Sequence, residues 1–261
     1  MNYLPISGIF FRHLRLTKNY IGRILFVFYW PALDVLIWGF LGKYIQTLQS
    51  NNNMEFILLL AILLWTAYAR FGNEIFLGLL EELWSHNMIN IFASPITLWQ
   101  WIIGILLSAL LIFFALILFL ITLIKLFYDV SLVYLCKNFI IFAPSLVFSG
   151  INLGFLTLSI IIYFGLRFSE IAWILMWFFM PFCGVFYPIE SLPAWGQKVS
   201  AFLPMAYVFT SMREYILHQT NPALLLLISV VLNIVYGALF LMLLLYAFNK
   251  SKDKGLNRLI D

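Results

Sequence analysis

Long apolar runs, each about as long as a bilayer is thick, alternate with short stretches holding most of the charged residues, and this alternation limits the fold more than any motif. A helix rises 1.5 Å per residue and the hydrocarbon core is about 30 Å thick, so one crossing takes about 20 mostly apolar residues. Six segments qualify: Ile24–Leu41, Phe56–Leu77, Trp99–Phe127, Phe139–Phe164, Ile171–Phe186 and Pro222–Phe248, the fifth short and the third long enough to tilt. With 64% of its residues apolar and 10% charged, a chain of 261 residues has too little polar surface to enclose them in one water-soluble core. In lipid every backbone amide must be bonded within the protein, which runs of this length achieve as helices and not as barrel strands. The expected fold class is all-α: a polytopic membrane protein of six transmembrane helices in one domain over residues 1–261.

Charge orients it. Arg12, Arg15, Lys18, Arg23, Arg167, Lys250, Lys252, Lys254 and Arg258 fall on the side of the two termini. Lys43, Lys137, Lys198 and Arg213 fall on the other, with Lys125 near its boundary. The excess of Lys and Arg predicts cytoplasmic termini, and Trp38, Trp99, Trp101 and Trp173 near span ends agree. The net charge of +4 reflects this flanking rather than a face for nucleic acid, since no basic and aromatic residues interleave. No removable signal peptide is read at the start. Cys136 and Cys183 lack disulfide-framework or zinc spacing and read as core thiols.

Three connecting regions carry structure of their own. Ile6, Ile9, Phe10, Leu14 and Thr17 recur at helical spacing with Arg12, Arg15 and Lys18 on other faces, which predicts an amphipathic interfacial helix within residues 1–22. Residues 80–95 combine Glu81, Glu82, His86, Asn87 and Asn90 with a short amphipathic piece ending at Ser94 and Pro95, the pattern of a short cytoplasmic helix followed by a break. From Cys183 to Gln219 the chain is punctuated by Gly184, Pro188, Pro193 and Pro204 yet stays apolar. Two short helices are predicted there, Ser191–Phe202 with Ser191 as N-cap and Met205–Leu217, dipping into the outer leaflet within residues 188–217.

Asp34 in the first span, and Arg70 and Glu74 in the second, are charges in hydrocarbon, each costing about 2.5–3.5 kcal/mol on insertion scales when unpaired. Arg70 and Glu74 share a helix face, and Asp34 lies on a neighbouring antiparallel span within reach of a long Arg side chain. Such a cluster serves either coupling or structure. For catalysis, HExxH, G-x-S-x-G and paired acids within one span are missing, and His13, His86 and His218 lie in separate segments without ligand spacing. No enzyme activity, metal or cofactor is expected. Nor is there a G-x-x-x-x-G-K-[ST] phosphate loop, so ATP-driven work would need a second protein.

PFCGVFYPIESLPAWGQKVSAFLPMAYVFTSMRE, from Pro181 to Glu214, is similar to the Gly-aromatic-Tyr-Pro, Leu-Pro and later Leu-Pro pattern of type-2 ABC exporter permeases. LEELWSHNMINIFASPI, from Leu80 to Ile96, looks like the same family's coupling segment, which ends in a small residue, proline and an aliphatic. The resemblance spans nearly the full length. It implies a permease of the cell membrane that pairs with a second permease chain, as a homodimer or close heterodimer, and with two cytoplasmic ATPase subunits, exporting an amphipathic, lipid-linked or polysaccharide substrate. By position, Glu81, Glu82, Trp84, His86 and Asn87 would meet the ATPase, and Tyr187, Pro188, Leu192, Pro193 and Leu203 would belong to an outer gate. The coupling segment departs from many relatives in lacking basic residues. Phe26, Phe28, Tyr29 and Trp30 read mostly as lipid-facing aromatics, with the lining of a greasy path as the alternative. The alternatives are an ion-coupled secondary transporter, which predicts repeated halves with broken helices, and a membrane-embedded enzyme, which predicts clustered polar residues in one leaflet.

Overall fold

The computed structural model describes residues 3–48, 53–85, 87 and 94–254. Nine α-helices and three short 3-10 turns make up the described residues, with no strand among them. In chain order the helices are α1 (Leu4–Asn19), α2 (Ile21–Leu48), α3 (Met54–Trp84), α4 (Leu98–Phe127), α5 (Leu132–Phe164), α6 (Ser169–Phe178), α7 (Ala194–Ser200), α8 (Pro204–His218) and α9 (Ala223–Lys254). Five of them, α2, α3, α4, α5 and α9, are long and apolar enough to cross a membrane. The protein is therefore built for a membrane.

Local chemistry accounts for the boundaries. Tyr20 takes an extended conformation between α1 and α2, so a single residue turns the chain from one helix into the next. Thr97 opens α4 with a capping box: its hydroxyl accepts from the Gln100 amide (3.3 Å), and the Gln100 side chain accepts from the Thr97 amide (3.0 Å). Pro31 and Pro144 sit inside α2 and α5, as membrane helices tolerate where neighbouring groups take up the freed carbonyls. Gly165, at a φ of 95°, ends α5.

The predicted fifth span, Ile171–Phe186, is not one helix. It is α6 up to Phe178, followed by the 3-10 turn Met180–Phe182, because Pro181 cannot extend the α-helical ladder. Ser191 does not cap a helix reaching Phe202; it ends the 3-10 turn Ile189–Ser191. Pro193 forces the preceding Leu192 into an extended conformation (ψ 151°), so α7 starts only after Pro193, which serves as its N-cap. α8 begins at Pro204, a first-turn position where the missing N–H costs nothing.

α3 is the axis of the bundle. In its most apolar stretch 78% of the residues are buried, against 17% in α2 and 11% in α9, which lie at the periphery. α2, α4, α5 and α6 pack round α3, α9 and α8 pack on α5, and α1 lies against α4. Small residues allow the closest crossings. A Cβ on Gly150 of α5 would stand 2.3 Å from the Tyr68 carbonyl oxygen of α3, and one on Gly104 of α4 would stand 2.7 Å from Ile9 of α1. Tyr128, just past α4, donates its hydroxyl to the Leu36 carbonyl of α2 (3.0 Å) beside Gly39, and burial, with Glu55 nearby, pushes its phenol up to about 12.

Candidate functional site

At the end of the bundle that carries α1, one face of α3 presents Arg70, Glu74, Gly78, Glu81 and Glu82, and two arginines and a histidine from α1 and α2 converge on it. Arg12 of α1 grips Glu82 with both prongs of its guanidinium, Nε to Oε1 and Nη2 to Oε2, each at 2.8 Å. Asn87 donates to the same carboxylate (2.9 Å). Arg23, in the first turn of α2, spans Glu74 (3.0 Å) and Glu81, and Arg70 pairs with Glu74 one turn away on its own helix. His13 approaches Glu81 at 3.4 Å. Gly78 makes the space, since a Cβ there would lie 3.3 Å from the His13 ring and 2.6 Å from Ile105. Three arginines thus face three glutamates in a network that ties α1 and α2 to the end of α3. The forked contact of Arg12 to a Glu82 carboxylate 2% exposed is the strong kind of ion pair.

Several sequence expectations change position here. The Arg70–Glu74 pair is present. Asp34 does not join it: among the described residues nothing bonds to the Asp34 carboxylate, and Glu74 takes Arg23 as its second cation. Glu81 and Glu82, read as contacts for an ATPase, are engaged by α1 and α2 in this structure. Residues 80–84 of the expected coupling helix are the last turn of α3, because nothing between Leu77 and Trp84 breaks the ladder. His86 and residues 88–93 lie outside the described residues. Trp84 is 57% exposed at the helix end.

The segment from Pro181 to Arg213 folds back on itself. Arg213 of α8 donates to the Gly184 carbonyl (2.8 Å), Ser200 of α7 to the Phe182 carbonyl (2.6 Å), and Tyr187 to the Pro181 carbonyl (2.7 Å). Gly184 adopts φ +65°, and its neighbour Ile189 leaves no room for a Cβ. Burial pulls the Arg213 guanidinium below its ordinary value, with Glu190 and Glu214 opposing. Of the five residues assigned to an outer gate, Pro188 and Leu192 bracket a 3-10 turn, Pro193 and Leu203 start α7 and α8, and Tyr187 pins the loop. Trp38 of α2 stacks on Phe186 at 3.5 Å, joining this segment to the first long helix.

A polar seam between α5 and α9 has no counterpart in the sequence reading. Ser145 meets Ser229 (2.8 Å), Ser149 donates to Asn233 (2.9 Å), and Asn152 donates to the Asn233 carbonyl (2.8 Å). Small polar residues at i, i+4 and i+7 on one helix, opposite i and i+4 on another, were the available signal. Next to the seam is a cavity of about 340 Å³, lined in part by α7, α8 and the buried Tyr68. A second cavity of about 520 Å³ lies between α2, α3 and α6, where Asp34, Arg70, Thr66 and Asn73 meet Trp30, Trp65, Trp173 and Trp177. It shares Phe26 and Trp173 with a third, of about 570 Å³, that reaches Arg12, Arg23 and Glu81. Among the described residues no group of three or more His, Cys, Asp or Glu side chains is placed to hold a metal. Compared with known proteins, the chain matches no protein-family model and no curated protein.

Proposed function

We propose that this chain is the membrane-spanning subunit of an ATP-driven exporter, forming the pathway for an amphipathic, lipid-linked or polysaccharide substrate and powered by a separate cytoplasmic ATPase. The observation that carries this reading is the ion network. Arg12, His13 and Arg23 fasten the amphipathic helix and the start of α2 to Glu74, Glu81 and Glu82 near the end of α3. A push on that end from a cytoplasmic partner moves α1, α2 and α3 together instead of bending one alone. A subunit with no phosphate loop of its own needs such a linkage to turn another protein's ATP cycle into a shift between inward-facing and outward-facing populations.

In this reading both termini are cytoplasmic and there are six crossings. α6, its following turn and the outer segment together make the fifth, with α7 and α8 dipping into the outer leaflet. Glu81 and Glu82 then act from behind the ATPase contact, fixing the exposed Trp84 and the chain that follows it. The lightly covered faces of α2 and α9 suit lipid and a second permease copy, with two ATPase subunits beneath.

The test is purification of the chain from its native host in a gentle detergent. A Walker-motif ATPase should co-purify, and should be lost when residues 81–90 are deleted while the spans stay helical. A folded dimer without an ATPase would remove the motor and turn the reading toward ion-coupled transport through Asp34, Arg70 and Glu74.

A further inference from the structure

The cavity between α2, α3 and α6 has an unbalanced charge. Of the two charged groups that line it, Arg70 is offset by Glu74, and in the adjoining network Arg12, Arg23 and Arg70 face Glu74, Glu81 and Glu82, three against three. Asp34 remains over. It lies near the middle of α2, with no bonding partner among the described residues, and opens into a space walled by Trp30, Trp65, Trp173 and Trp177, four of the nine tryptophans in the chain. A lone carboxylate at membrane depth is costly unless it takes up a proton or a cation comes to it, and indole rings are the best aromatic partners for a cation. The cavity, about 520 Å³, has the size of a small-molecule site and is mostly apolar in its walls.

We infer that this cavity binds a hydrophobic organic cation, its positive centre held by Asp34 and its apolar body among the tryptophans. The assignment rests on the exporter reading only for its consequence, namely that such cations belong to the transported class; binding itself needs no ATPase. Arg70, held by Glu74, also lines the cavity and disfavours a dication.

Tetraphenylphosphonium and tetraphenylborate have nearly the same size and shape and opposite charge, and the purified chain in a nonionic detergent can be titrated with each while tryptophan fluorescence is followed. Saturable quenching is expected with the phosphonium and not with the borate. Asp34→Asn should weaken the phosphonium by roughly tenfold, the scale of a desolvated cation contact, and Asp34→Glu should keep most of the affinity, both variants eluting from a sizing column as the parent does. Equal response to the two ions, or an Asp34→Asn protein that binds the phosphonium as the parent does, overturns the assignment. Saturable, Asp34-dependent binding by a protein that recruits no ATPase would keep the site and remove the exporter; an ATPase partner without selective binding would do the reverse.

Discussion

Glu82 is 2% exposed and is gripped by Arg12, itself 41% exposed at the surface of α1. Arg12→Ala leaves that carboxylate with Asn87 as its remaining side-chain donor among the described residues, and the expected loss is about 2 kcal/mol, the scale of a charged hydrogen-bonded contact with one partner half in solvent. Arg12→Lys should recover only part, since an ammonium cannot fork onto both oxygens. Arg12→Ala with Glu82→Gln should lose less than Arg12→Ala alone, because the buried charge goes with its partner. Thermal unfolding of the four proteins in one detergent reads this directly. Glycine gives a second residue-scale contrast. Gly150→Ala drives a Cβ to 2.3 Å from backbone at Tyr68, which cannot swing away, and should cost about 1–3 kcal/mol, whereas Gly8→Ala meets nothing within 4 Å and should be neutral or stabilising by the same assay.

At the scale of elements, apolar run length makes all five long helices legible, and α4 at both of its ends. α4 begins one residue from the predicted Trp99, and the amphipathic leader is α1. α2, α3 and α5 run past their apolar cores, because a helix continues through polar residues until something stops it. That is why Glu81 and Glu82 belong to α3 and not to a separate helix. The ion network was legible only at Arg70 and Glu74, four apart on one helix; Arg12 and Glu82 are 70 residues apart, and Arg23 and Glu81 are 58 apart. Pairings at such separations are set by packing, which a hydropathy pattern does not report. The α5–α9 seam was hidden for the same reason, each helix reading alone as an apolar run with a few small polar residues. Asn233→Leu should loosen α9 by about 1–2 kcal/mol by removing the group that Ser149 and Asn152 both reach. Faster amide hydrogen exchange confined to α9 and the facing part of α5 is the expected sign; unchanged exchange would leave the seam without mechanical weight.

For the molecule as a whole, the distribution of burial states what is missing. α3 is wrapped on every side, while α2 and α9 present Leu25, Ile37, Leu227, Val231 and Met242 outward. Lipid covers such faces, and so does a second copy. The exporter reading requires the second copy, so the purified chain should have about twice its 30.4 kDa mass once bound detergent is subtracted. The central claim is that this end of the bundle receives mechanical work from ATP. The most direct measurement is vanadate-sensitive ATP hydrolysis by the protein and whatever co-elutes with it, reconstituted in liposomes, for the parent and for Arg12→Ala. The account predicts hydrolysis by the parent, and in the variant a loss of its stimulation by tetraphenylphosphonium with the basal rate kept. A parent preparation that is folded and dimeric but hydrolyses no ATP would contradict it.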